Sequence, residues 1–360
     1  MTFQHSVRVA FLDVGQGDSI VITVPATGEA VIIDCPEADT VIEYLRFAEV
    51  RHIRALIITH LHLDHYREAV NFLENCGGQL GVECERLVFN WPSNRQQLLP
   101  DADEHSEMYS DSDPKRQERT RITAYQELMT WTNQSPHEDS CVGLLRPRRG
   151  DYLEIDGMIA QAIKILQPSH AQIGKLFHLG LNNTSAVLRI EGPGSSALLT
   201  ADIEPTGWSE LQKHYSSLQS DVLKFPHHGS WKGADPLDVL GAVDPSIVVI
   251  SVGTEGDRYD HPNPHVFSAI RNLSHIRLLC TQVTTRCVAQ PTTQRQAVEA
   301  ILEADAASRA TCAVRTSHGC PCAGTIIVEL SDQVRVLQPD AFLHRDQIIN
   351  RYYGTHQCAV

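Results

Sequence analysis

The 360-residue chain predicts an α/β protein, on three observations. Short runs of β-branched and apolar residues recur in both halves, bounded by glycine, proline or aspartate. Stretches with helical spacing fall between them. The apolar run Ala55-Leu56-Ile57-Ile58 leads directly into Thr59-His60-Leu61-His62-Leu63-Asp64-His65, so a buried strand ends in a cluster of metal-capable side chains.

In order, residues 7–12, 19–24 and 30–34 read as strands, with Gly15, Gly17 and Gly28 at the turns. Residues 40–48 are helical and 55–59 form a short buried strand. A helix over 64–75 starts inside the histidine cluster and should end near Gly77-Gly78. Residues 87–90 are a further strand. The pattern then changes. Asp101, Asp103, Glu104, Glu107, Asp111 and Asp113 precede a helix-like stretch at 119–132, and 92–149 reads as an insertion over the mouth of the site, either a lid or a solvated spacer. In the second half, 160–166, 185–190 and 196–200 are expected strands and 207–214 a helix. Strand 222–225 delivers His227 and His228; 247–252 is another strand and 264–272 a helix. Residues 339–360 show no periodicity and read as a tail.

At the first cluster, the period-two alternation of an extended chain lets His60 and His62 point the same way. Asp64 and His65 open the next helix and face a neighbouring position. Two imidazoles for one ion, with a carboxylate and an imidazole for a second ion about 3.5–4 Å away, make half of a dinuclear hydrolytic site. The rival reading is a chance group of solvated histidines.

The string HLHLDH at 60–65 matches the HxHxDH signature of the metallo-β-lactamase superfamily. FLDVGQGDS at 11–19 resembles the first strand of its ComEC-like branch. LLTAD at 198–202 is similar to the branch's LLTGD, with Ala201 in place of glycine. HHGS at 227–230 and SVG at 251–253, followed by Tyr259 and His261-Pro262, also match in order. The resemblance implies a four-layer αββα sandwich with insertions over residues 6–338, the insertions being 92–149 and a cysteine-bearing 283–322. A short closing hairpin would begin at 278–282 and end at 323–328.

It also implies a metal set. His60 and His62 would hold one ion, Asp64 and His65 the other, and Asp202 would bridge both. His228 would complete the second ion, with His227 as runner-up or as a contact to the substrate oxyanion. Asp64 would also orient the nucleophile. His261 would be a general acid or transition-state donor; a structural histidine beneath its loop is the rival. Many superfamily members carry a further histidine where this chain has Leu181-Asn182-Asn183-Thr184-Ser185, so the first ion would be more open, suiting Mn²⁺ or loosely held Zn²⁺. His170 and His178 are candidate substitutes.

Such machinery suits phosphodiesters, β-lactams, lactones and thioesters. The branch tilts the expectation toward a phosphodiesterase or nuclease acting through hydroxide generated at the ions. The formal charge of −14, with 44 acidic and 30 basic residues, argues against an indiscriminate binder of long nucleic acid and favours single-stranded or small nucleotide substrates. A phosphocholine-type esterase, a lactonase, or a metal-binding module needing a protein partner are the alternatives, the partner docking through 92–149 or the tail. No apolar stretch reaches about 18 residues and no leader is evident, so the expectation is a cytoplasmic protein with no membrane contact, unlike ComEC, whose hydrolase domain is attached to membrane helices.

Ten cysteines without a leader argue against a disulfide framework. Cys35, Cys76, Cys84 and Cys141 stand singly. Cys280, Cys287, Cys320 and Cys322, with Cys312 as an alternative fourth ligand, suit a structural Zn²⁺, although Cys320-Pro321-Cys322 is not the usual CxxC pair and free thiols are the rival.

Overall fold

In the computed structural model, residues 4–89, 123–131, 143–145, 153, 155–168, 180–254, 261–284 and 321–353 are described. The first half supplies strands β1 (Val7–Phe11), β2 (Ile20–Val24), β3 (Glu29–Ile33), β4 (His52–Ile58), β5 (Arg86–Phe89) and β6 (Gly143–Leu145). The second supplies β7 (Ile163–Gln167), β8 (Val187–Glu191), β9 (Ser196–Leu199), β10 (Val222–Lys224), β11 (Ile247–Ile250) and β12 (Arg277–Cys280). Strands β13 (Ile326–Leu330) and β14 (Val334–Gln338) return to the first half's sheet. One sheet has the order β14-β13-β1-β2-β3-β4-β5-β6 and the other β12-β11-β10-β9-β8-β7.

The two sheets follow the same logic. In each an antiparallel meander (β1-β2-β3 or β7-β8-β9) passes into parallel strands (β4 to β6 or β10 to β12). Alternation along the strands separates the layers. Val9 and Phe11 of β1, Ile57 of β4, Leu188 of β8 and Val249 of β11 meet in the core between the sheets. Ala10, Ile32, Leu56 and Leu87 face outward under helices α1 (Ala38–Phe47) and α3 (Ala69–Leu80). Leu198, Leu223, Val248 and Leu278 face outward under α5 (Pro205–Gln212), α6 (Leu237–Val243) and α7 (Pro264–Arg271). Three apolar layers between four layers of secondary structure make the αββα sandwich.

Several local expectations need correction. The single helix over 64–75 is two: α2 (Leu63–Tyr66), then α3. The loop after β3 diverts the backbone between them. Cys35 N–H donates to His65 O (2.7 Å) and Glu68 N–H donates to Cys35 O (3.1 Å). Helix α3 then runs through Gly77-Gly78 and stops at Gly81, whose φ of 69° is left-handed and whose N–H closes on Gly77 O. The expected strand at 160–166 begins as a 3-10 turn over Met158–Ala162, because the Glu29 carboxylate accepts from the N–H groups of Met158 and Ile159. The closing hairpin joins different sheets, β12 in one and β13 in the other.

The segment 92–149 is not wholly an appendage. Helix α4 (residues 123–131) buries Ala124 and Leu128 against the outer layer of the first sheet, and β6 pairs in parallel with β5. The remainder of that segment lies outside the described residues. The C-terminal stretch is likewise docked over its described part. A π-helical segment, Leu343–Tyr353, buries Leu343, His344, Ile348 and Ile349.

Candidate metal centre

The carboxyl-terminal ends of β3, β4, β9, β10 and β11 open on one edge of the sandwich, and the loops leaving them carry the polar residues. Asp34 directly follows β3 and is fully buried. Its Oδ1 accepts from Thr59 N–H (2.7 Å). Its Oδ2 accepts from Thr59 Oγ1 (2.7 Å) and lies 2.7 Å from His65 Nδ1. Burial raises the Asp34 pKa, and the adjacent His65 opposes that rise. The pairing turns His65 Nε2 toward Asp202 Oδ2 (3.3 Å) and Asp64 Oδ2 (3.7 Å).

His228 arrives from the other sheet. Its Nδ1 lies 2.9 Å from Ser251 O, which leaves Nε2 3.2 Å from Asp202 Oδ2 and 3.4 Å from Asp64 Oδ2. His227 and His228 both adopt positive φ (48° and 50°), a strained conformation for non-glycine residues. Asp64, His65, Asp202 and His228 thereby form a buried group whose ligand atoms all lie within 4.8 Å of one another. Asp64 Oδ1, His65 Nε2 and His228 Nε2 are buried without a hydrogen bond of acceptable geometry. Orphaned polar atoms are costly, and nitrogen and carboxylate donors converging on one point fit a divalent cation.

The other expected ligands sit beside this group. His60 Nε2 is 3.0 Å from His62 Nδ1, and the His60 ring centroid is 4.1 Å from that of His65. Burial, then the charge on His65, holds His60 well below the ordinary histidine pKa. His227 lies toward the rim, 3.9 Å from both Asp202 Oδ2 and Glu204 Oε1. The LNNT segment holds that rim: Asn182 and Asn183 donate to Glu204 Oε1 and Oε2, each at 3.0 Å. His261 is buried with its ring 5.7 Å from that of His227 and 6.4 Å from that of His228. Burial and these two histidines push its pKa down to about 3, so at neutral pH it is an uncharged imidazole. His170 and His178 lie outside the described residues.

Three buried residues of the centre went unassigned in the sequence reading: Asp18, Asp34 and Lys224. Lys224 is completely buried; its Nζ donates to Ala201 O (2.9 Å), forms an ion pair with Asp18 and lies 3.4 Å from Asp202 Oδ1. Burial alone would lower its pKa, but Asp18 and Asp202 raise it. A lysine within the otherwise apolar run Val222-Leu223-Lys224-Phe225 was the available signal.

Of the late cysteines, Cys280 ends β12 and Cys322 lies in the segment before β13; both are buried, and the two segments are joined where Ala323 N–H donates to Cys280 O. Cys322 Sγ lies 3.4 Å from His344 Nε2, a partner absent from the expected zinc set. Cys287, Cys312 and Cys320 fall outside the described residues.

The protonation states of the main group yield a prediction. Burial opposes charge on His65 and His228, yet Asp202 and the other nearby carboxylates outweigh it, raising His65 well above its usual range and His228 to about 10. Metal binding needs both Nε2 lone pairs and therefore displaces protons. Affinity for a divalent ion should rise with pH until about 10, and titration at about pH 8 should release at least one proton per chain. Calorimetry in buffers of differing ionisation enthalpy measures this; identical heats in all buffers would refute it. In metal-free protein the sign reverses. The raised His228 stabilises the fold fully below its ordinary value of 6.5, and that contribution is lost as pH rises through about 10.

The sandwich and its edge cluster define a class, and the chain belongs to it: the model of the metallo-beta-lactamase superfamily matches residues 12–251. Among curated proteins it is similar to ComE operon protein 3 of Bacillus subtilis (strain 168), with 27% identity over 293 residues, covering 76% of this chain and 32% of the relative. The chain thus spans about a third of that relative's length. Among solved structures it is similar to a long form RNase Z from yeast (TM-score 0.35, 10% identity, 81% of this chain and 39% of that one). It is also similar to human tRNase Z, short form (TM-score 0.34, 15% identity, 78% and 93%). Among the described residues no helix is long and apolar enough to cross a membrane. Family membership and the histidine–aspartate cluster support a metal-dependent hydrolase.

Proposed function

We propose that the protein hydrolyses phosphodiesters, with short, single-stranded or small nucleotide substrates as its preferred class. The observation that carries this reading is the convergence of Asp64, His65, Asp202 and His228 into one buried group at the meeting of the two sheets. Asp64, His65 and His228 would hold one ion and His60 and His62 the other, with Asp202 available to both. Mn²⁺ or Zn²⁺ fits these donors. Bound there, the ions supply acidified water and neutralise oxygens that gain charge during displacement.

The chain's own residues do the rest. Asp34 fixes the tautomer and aim of His65, and Ser251 O does the same for His228. Asp64 orients the attacking water. His227 stands at the rim beside the held Glu204 and contacts the substrate's anionic oxygen. His261, neutral at working pH, donates its N–H to the charge that develops in the transition state, a role its low pKa favours over that of a protonated acid. The net charge of −14 supports small or single-stranded substrates over long duplexes.

The test is a panel of bis-p-nitrophenyl phosphate, linear and cyclic dinucleotides, single- and double-stranded DNA, a lactone and a β-lactam, each with Mn²⁺ and with Zn²⁺. Turnover confined to the phosphodiesters is expected, and preference for the lactone or β-lactam would overturn the reading. On the best substrate His261→Ala should slow the rate by about 10²–10⁴-fold at unchanged thermal stability. An unchanged rate would return His261 to a structural role.

A further inference from the structure

Asp202 presents its two carboxylate oxygens to different cations. Oδ2 faces the imidazoles of His65 and His228 at 3.3 and 3.2 Å. Oδ1 faces the ammonium of Lys224 at 3.4 Å. That ammonium also pairs with Asp18, which is itself buried and comes from the loop after β1. Asp18 Oδ1 makes no hydrogen bond, although it lies 3.8 Å from His228 Nδ1. Asp18, Asp202 Oδ1 and Ala201 O converge on the ammonium, so the pocket around it already holds the oxygen donors of a cation site.

We propose that Lys224 is a resident monovalent cation occupying a latent divalent-metal position between Asp18 and Asp202, and that it confines exchangeable ions to the Oδ2 side of Asp202. The inference rests on the reading that the Asp64–His65–Asp202–His228 group holds metal. It follows from charge and place together. A compact ammonium on a buried stem neutralises Asp18 and the Oδ1 side of Asp202 in a low-dielectric interior. It also repels a dication from the same spot. Lys224 is thus a positioning residue: it leaves Asp202 one oxygen for the reaction centre and ties the first-strand loop to the strand that delivers His227 and His228.

The test counts Mn²⁺ ions per chain by calorimetry and by metal analysis of chelator-stripped full chain. Lys224→Gln should bind one more ion than wild type. Lys224→Arg, which keeps the charge, should bind the wild-type number. Lys224→Gln combined with Asp18→Asn should lose the added ion. A lysine with a merely structural role would leave the count unchanged or lower it. A folded Lys224→Gln with the wild-type count overturns the inference. Should that variant be unfolded without metal, Mn²⁺ must restore its near-ultraviolet circular dichroism; failure to do so also overturns it. A wild type that binds no Mn²⁺ overturns the proposed function and this inference together. A wild type that binds Mn²⁺ beside a Lys224→Gln that gains none overturns this inference alone.

Discussion

Asp64→Ala is expected to lower phosphodiester turnover by more than about 10³-fold, since under the proposed function it removes both a ligand and the group that orients the attacking water. Asp64 is buried, and its Oδ2 lies 3.4 Å from His228 Nε2 and 3.7 Å from His65 Nε2. Burial alone would raise its pKa, but those two histidines hold the carboxyl far below the usual range. Without it, His65 and His228 keep only Asp202 as a shared counter-charge, and metal content should fall with activity. Among the described residues Asp64 belongs to none of the three apolar core clusters, so cooperative unfolding should persist. Steady-state rates and metal content on the same preparation check the prediction. A rate within about tenfold of wild type would remove Asp64 from the machinery.

The second large effect is expected at Gly17. Its φ is 131°, in the region that L side chains rarely adopt, and an added Cβ would lie 2.3 Å from the backbone oxygen of Asp64. Neither partner of that contact is a flexible side-chain end. Gly17→Ala must therefore strain its own backbone, at a cost of about 1–3 kcal/mol, and push α2 away from the loop that carries Asp18. A total loss of about 2–4 kcal/mol is expected in urea unfolding, with metal affinity lowered about 10–100-fold because Asp64 and His65 move together. Stability within about 0.5 kcal/mol of wild type would show that the loop relaxes freely.

Much of the fold was legible because its strands are short, β-branched and bounded by turn residues. Strands β1, β2, β3, β5, β9 and β10 fall within a residue or so of where alternation put them. Helix α6 and strand β14 were missed. Val334-Arg335-Val336-Leu337-Gln338 does alternate, but it is half-buried at a sheet edge, and its meaning depends on β13 beside it. The break between α2 and α3 was invisible for a different reason. It is made by backbone groups of Cys35, some thirty residues upstream, and local helical spacing carries no record of them. The segment 343–353 read as a tail because its apolar residues follow no 3.6 period, and its π-helical winding explains that.

What the sequence determined by itself is the chemistry on offer: the family motifs, the donor types, and the placing of His60 to His65, Asp202 and His228 at strand ends. A strand followed by a polar turn must deliver its next side chains at the sheet edge, which a single chain segment specifies locally. Only the tertiary structure decided how those side chains meet. His228 rather than His227 enters the four-residue group because Ser251 O, directly after β11, holds its Nδ1. Asp202 offers one oxygen to the histidines and the other to Lys224 because Asp18, nearly two hundred residues earlier, pulls that ammonium into place. Such assignments depend on distances of a few ångströms between segments remote in the chain. Spacing along one strand cannot encode them, because the partner that selects the rotamer arrives only when the two sheets close.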